Sequence, residues 1–192
     1  MLRPGRLPGR VTIWFASRTW GNRGFSADPH YIRTCNRALL TTAPTNVLEC
    51  GSGLTTIFAA SLGEANGFSV YALEDHEPWR RRVQNVLSAA AVHLLPTPLT
   101  SFGDFEWYDI SGVELPDFQV VICDGPRGQT RGGRYGLAPV MGSKISGATI
   151  LLDDARRQGE QAVLARWADE HAAVVDLDLD CKKGLAIVRF PT

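Results

Sequence analysis

The chain has no net charge: Lys and Arg number 20 and so do Asp and Glu, so no global field draws it to nucleic acid or to an anionic membrane. Cysteine is sparse. Cys35, Cys50, Cys123 and Cys181 lie far apart, and none belongs to a CxxC or Cys/His cluster of the spacing that zinc sites use, so they read as reduced thiols. Long hydrophobic runs are missing too. Residues 11–16 are too short for a signal-peptide core, no small-residue cleavage site follows them, and nothing approaches membrane-spanning length. A cytoplasmic protein with no membrane or nucleic-acid partner is the expectation.

What is present suits one enzyme-sized domain, since 192 residues with 44% apolar content can bury a substantial core. Residues 1–27 form a basic leader in which Arg3, Arg6, Arg10, Arg18 and Arg23 are interleaved with Pro4, Gly5, Pro8 and Gly9. It reads either as a solvated, partly flexible terminus or as a local binding arm. The single domain is expected over residues 28–192, with no internal repeat.

Along that domain, strands and helices alternate. Asp28 and Pro29 stand as N-cap and first-turn residues before a helix at 30–40. A short apolar strand at 46–50, a glycine turn at 51–53 and an apolar helix at 55–62 that stops near Gly63 make the first unit. A strand at 69–73, a helix from Pro78 to about Ala91 and a strand at 92–95 closed by Pro96 and Pro98 make the second. Residues 118–123 and 148–152 are continuously apolar, as parallel strands covered on both faces are, with a helix at 137–145 between them and an amphipathic one at 158–170 after them. In that last helix Val163, Leu164 and Trp167 face the core and Arg166 and Glu170 face solvent. Two β-rich stretches, 173–179 and 185–190, close the chain as an antiparallel hairpin. The pattern predicts an α/β sandwich whose ligands lie beyond the carboxyl ends of its strands.

The first unit carries a cofactor signal. Gly51 and Gly53 remove the Cβ atoms that would hold a ligand off the backbone, the following helix offers free N–H groups, and Glu49 and Ser52 flank the glycines. The second strand runs into Glu74 and Asp75, where a carboxylate can accept hydrogen bonds from both ribose hydroxyls. A dinucleotide fingerprint requires a third glycine where Thr56 stands. Its absence disfavours the rival enzyme reading, an NAD-dependent oxidoreductase; the non-enzymatic reading is a cofactor-binding module without catalysis.

The stretches VLECGSG (47–53) and VYALED (70–75) resemble the first two motifs of class I, Rossmann-like S-adenosylmethionine-dependent methyltransferases, and the similarity runs from about residue 28 to the end. The resemblance implies a three-layer α/β sandwich with a mostly parallel seven-stranded sheet and a C-terminal antiparallel hairpin. It implies S-adenosyl-L-methionine as cofactor, with Glu49, Gly51 and Gly53 bordering its methionine part, Glu74 on its ribose and Asp104 near its adenine.

The chemistry is expected at the ends of the fourth and fifth strands, where Asp124, Asp153 and Asp154 would meet at the cofactor's edge. Clustered carboxylates suit a hard cation such as Mg²⁺ or Mn²⁺. Asp124 and Asp153 are the candidate catalytic residues, as base or as metal ligands. The arrangement is similar to the cation-dependent catechol and caffeoyl-coenzyme A O-methyltransferases, with two departures: Asp154 replaces an asparagine and Arg127 stands near a catalytic lysine. Asp153 and Asp154 also read as N-caps of the next helix, and residues 124–126 as a plain turn. A second resemblance, through DGPRG (124–128), EDHEPW (74–79) and DDARR (153–157), is to glucuronoxylan 4-O-methyltransferases, and implies a sugar or uronic acid hydroxyl as acceptor. Arg127, Arg131 and Arg134 crowd the loop after the fourth strand, where guanidinium forks could hold an acceptor carboxylate, with Arg127 and Arg131 the candidate substrate residues. His76 sits beside the ribose carboxylate, His171 at a helix end, and Trp107 and Tyr108 either line an acceptor pocket or cover the core. The expected partner is a small-molecule or glycan acceptor, and a homodimer is compatible with the sequence.

Overall fold

In a computed structural model of the protein the described residues are 16, 18, 20, 27–87 and 92–191. Arg3, Arg6, Arg10 and Arg23 of the expected leader lie outside them, as do residues 88–91 of the expected second-unit helix. Helix α1 (Pro29–Thr42) starts where its cap chemistry directs: the Asp28 side chain accepts the His30 N–H at 2.7 Å and Pro29 occupies the first turn. It ends at Ala43, whose left-handed φ of 47° turns its N–H back to the Leu39 carbonyl.

Strands β1 (Asn46–Cys50), β2 (Ser69–Glu74), β3 (Val92–Pro96), β6 (Val120–Cys123) and β7 (Thr149–Asp153) are parallel, and β8 (Val174–Asp178) and β9 (Leu185–Arg189) complete the sheet antiparallel, in the order β3-β2-β1-β6-β7-β9-β8. This is the seven-stranded, mostly parallel sheet with a terminal hairpin that the sequence predicts. Period-two geometry divides the apolar strand residues between two cores. Val47, Val70, Val120, Ile122 and Leu151 pack with Tyr31, Ile32 and Leu39 of α1 and with Leu54 and Phe58 of α2 (Leu54–Asn66). Leu48, Val121, Ile150 and Leu152 pack on the other face with Leu137 of α4 (Leu137–Met141) and Trp167 of α5 (Gln158–His171).

Four local readings change. Helix α2 runs past Gly63 to Asn66, and Gly67, at φ 78°, is its true terminus. Gly63 is there for packing, since a Cβ on it would lie 2.5 Å from the Phe68 carbonyl oxygen. Helix α3 (Glu77–Gln84) is shorter than the expected span. The helix expected over 137–145 is split: Gly142, at φ 49°, ends α4 and the chain continues as a 3₁₀ turn through Ile145. A second, two-stranded sheet, β4 (Leu99–Ser101) with β5 (Glu106–Tyr108), was expected as loop, and it carries Trp107 and Tyr108 fully out of solvent. Among the described residues no helix is long and apolar enough to cross a membrane.

Candidate cofactor cleft and reaction centre

Strand order reverses direction between β1 and β6, and a cleft of about 620 Å³ opens beyond their carboxyl ends. One wall is the glycine turn. Gly51 has φ 82°, and a Cβ on it would come 2.9 Å from the Gly125 backbone, so the β1 and β6 turns touch only because both residues are glycine. Gly53 differs: its φ of 176° is open to any residue, and a Cβ there would meet no atom of the described residues within 4 Å. Its N–H is closed onto Thr56 Oγ1 at 2.7 Å.

Glu74 ends β2 on the facing wall. Its Oε2 accepts the Ser52 N–H at 2.9 Å and hydroxyl at 2.7 Å, and its Oε1 accepts the His76 N–H at 2.9 Å. Burial raises its carboxyl above the ordinary value, against these three donors, which favour the charged form. A carboxylate has about four lone-pair sites, so acceptor capacity remains for a hydroxyl in the cleft. Trp79 braces the turn by donating its indole N–H to the Ser52 carbonyl at 2.6 Å. The Trp79 ring meets Trp20 edge to face at 6.1 Å, with the Arg82 guanidinium 5.3 Å from both. Tyr108 forms part of the wall beside Gly125, and its buried hydroxyl has no partner among the described residues. Burial pushes that phenol well above its usual range, so it stays a neutral donor.

Glu49 is placed behind the turn, not on it. It is fully buried on the β1 face that packs against α2 and receives the Thr55 hydroxyl, and its Oε2 has no hydrogen-bond partner among the described residues. Burial raises its carboxyl to about 8, against the Thr55 and Thr56 hydroxyls.

At the ends of β6 and β7 the structure does gather Asp124, Asp153 and Asp154, one oxygen of each lying within 4.8 Å of the others. Asp124 and Asp154 line the cleft. Asp153 does not: it has no exposure, neither of its oxygens has a partner among the described residues, and burial, then the Asp124 and Asp154 charges, raise its carboxyl to about 8. Burial raises Asp124 as well, with Arg134 opposing. Asp154 holds a left-handed φ of 60°, a conformation aspartate tolerates better than most residues.

The arginine loop separates into three fates. Arg127 lines the cleft and pairs with Asp75 at 3.2 Å. Arg131, expected to hold substrate, turns away to Ser101 Oγ at 2.8 Å and Glu106 at 3.7 Å, because the unforeseen β4–β5 hairpin supplies polar partners there. Arg134 is buried to 1% exposure between the strand ends. Its Nη2 donates to the Asp124 carbonyl at 2.5 Å and lies 3.2 Å from Asp124 Oδ1 and 3.3 Å from Asp154 Oδ2; its Nη1 donates to the Asp153 carbonyl and lies 3.6 Å from Glu160. Burial works against its charge, but Glu160 and Asp124 foremost hold it above even the usual arginine value. Asp104, expected near an adenine, is also placed elsewhere, exposed and paired with Arg166 at 3.1 Å. Arg157 and Lys183, which the sequence reading passed over, line the cleft and approach Asp154 at 2.8 and 3.8 Å. The one signal for Arg157 was its place after the β7 carboxylates; nothing local pointed to Lys183.

No family model and no curated sequence matches the chain. Solved structures do. An SAH-bound methyltransferase of Podospora anserina is similar at TM-score 0.70 and 14% identity over 97% of this chain and 89% of that one. An O-methyltransferase of Bacillus cereus in complex with SAH gives 0.61 at 13% over 97% and 93%, and the O-methyltransferase TomG of Streptomyces achromogenes, in complex with SAM, 0.59 at 11% over 100% and 93%. At such identities the likeness is one of fold: the chain has the three-layer, Rossmann-like architecture of these methyltransferases.

Proposed function

We propose that the protein is an S-adenosylmethionine-dependent methyltransferase acting on the hydroxyl oxygen of a small molecule, a sugar or a uronic acid. The observation that carries this is the pairing, across one cleft at the switch point, of a glycine turn open at Gly53 with the carboxylate of Glu74 held at the end of β2. The unpartnered Tyr108 phenol on the same wall supports a polar occupant, since a buried donor without an acceptor is costly. Thr56 weighs against NAD. It is fully buried where a dinucleotide site needs a glycine, and its hydroxyl takes up the Gly53 N–H at 2.7 Å.

In this reading residues 51–53 and Tyr108 border the cofactor, Glu74 accepts from its ribose and Asp75 anchors Arg127 at the rim. When bound, the cofactor supplies an electrophilic methyl group on a sulfonium and leaves as a neutral thioether. Asp124 faces the cleft with its side chain 28% exposed and takes the proton that the acceptor hydroxyl loses as its oxygen forms the new C–O bond. Arg134 orients Asp124 by gripping both its carbonyl and its carboxylate. Arg127 and Arg157 stand where an acidic acceptor would enter.

Calorimetric titration with S-adenosylhomocysteine and, in parallel, NAD tests the cofactor. Micromolar affinity for the first alone is expected; preference for NAD, or no binding of either, rejects the reading. Cofactor binding with no turnover across a panel of hydroxyl acceptors would instead favour the module without catalysis.

A further inference from the structure

The carboxylates at the ends of β6 and β7 invite a divalent cation, and the resemblance to cation-dependent enzymes implies one. The residues present do not fit it. A hard cation needs oxygens free to converge on it at 2.0 to 2.6 Å, the range for Mg²⁺ and Ca²⁺ together. Here Asp124 and Asp154 are already engaged by Nη2 of Arg134, at 3.2 and 3.3 Å. The other oxygen of Asp154 lies 3.8 Å from Lys183, and Arg157 shares Oδ2 at 2.8 Å. Only Asp153 keeps both oxygens without a partner, and it lies off the cleft wall. One fully unpaired carboxylate, itself buried, is a poor ligand set for a hard ion, and a divalent ion placed among the three would face the buried Arg134 guanidinium at contact distance.

We infer that the guanidinium of Arg134 occupies the cation's place, so that Asp124, Asp153 and Asp154 form an internally neutralised centre and take up no Mg²⁺ or Mn²⁺. Three observations converge on it. Arg134 is 1% exposed, and a charge so buried is retained only when its partners are built around it. Both terminal nitrogens of its guanidinium serve this centre: they meet the Asp124 and Asp153 carbonyls, two of the three carboxylates and Glu160, which sits 3% exposed in the first turn of α5. The departure of Asp154 from asparagine also gains a reason, because the added negative charge is met by Arg134 and Arg157. The consequence for the reaction rests on the methyltransferase reading: the acceptor's proton goes to Asp124, oriented by Arg134, with no metal-bound alkoxide.

The test is a Mn²⁺ titration of the purified full chain, following the spin-resonance signal of the free ion, beside an S-adenosylhomocysteine titration in chelator. Wild type should leave the Mn²⁺ signal unchanged to millimolar concentration. Arg134→Gln, which frees the carboxylates, should bind Mn²⁺ at least tenfold tighter. Submillimolar Mn²⁺ binding by wild type, lost in Asp124→Asn, would overturn the inference; so would a folded Arg134→Gln that gains no affinity. Should Arg134→Gln not fold, the wild-type arm decides alone. Failure of S-adenosylhomocysteine to bind would remove the cofactor reading and leave the Mn²⁺ result standing.

Discussion

Gly51 and Gly53 sit two residues apart in one turn, yet a methyl group should affect them in opposite ways. At Gly51 it meets the Gly125 backbone at 2.9 Å in a left-handed conformation, so Gly51→Ala should lower the melting temperature and with it all binding. At Gly53 it meets nothing among the described residues, so Gly53→Ala should melt like wild type yet bind S-adenosylhomocysteine more weakly. Equal affinity of Gly53→Ala and wild type would show that no ligand approaches that backbone. Glu74→Ala should keep its circular dichroism spectrum and lose about ten- to a hundredfold in affinity, the worth of a charge-assisted hydrogen bond of roughly 1.5–3 kcal/mol; unchanged calorimetric affinity would reject its ribose role. Glu74 and Asp124 were legible because each follows an apolar strand, and a strand's end is where a carboxylate can leave the core. Arg134 was legible only as one of three arginines in a loop: which of Arg127, Arg131 and Arg134 is buried depends on partners 19 to 30 residues away, Asp153, Asp154 and Ser101, that no local pattern displays.

At the scale of elements, helix α2 and strand β2 pack so closely that Gly63→Ala must push the Phe68 carbonyl away, at a cost of about 1–3 kcal/mol in chemical denaturation. A neutral result would mean that the α2–β2 turn relaxes freely. Helix α5 hangs on Trp167, fully buried and donating its indole N–H to the Tyr135 carbonyl at 2.9 Å; Trp167→Ala should cost about 3–5 kcal/mol by the same measurement. The long elements were readable because an apolar stripe or run repeats often enough to declare its period. Strands β4 and β5, three residues each, are too short to show alternation, so the Gly103–Asp104 dipeptide that turns between them, with Gly103 at φ 87°, had no flanking strand pattern to mark it as a hairpin.

The whole molecule stores an acid in its interior. Glu49 holds its proton to about 8 when folded and releases it near 4.5 when the chain unfolds, because burial disfavours the carboxylate. Between those values the unfolded state binds fewer protons, so this contribution to stability is fully present below pH 4.5 and is lost as pH rises toward 8. Glu49→Gln should remove it: unfolding free energies from pH 5 to 7.5 should fall less steeply in the variant, by about 1.4 kcal/mol per pH unit. Parallel curves would mean that Glu49 is ionised in the folded protein. The sequence by itself determined the order of the seven strands of the main sheet and of the long helices, the two-faced burial of the central strands and the glycine turn, because these follow from local periodicity and from residues adjacent in the chain. Only the tertiary structure decided that Asp104 and Arg131 lie away from the cleft, that Arg157 and Lys183 line it, and that the acidic centre is closed by Arg134. Charge neutralisation in a buried site is settled by groups brought together from distant strands, and the energy of that meeting is written in no single segment.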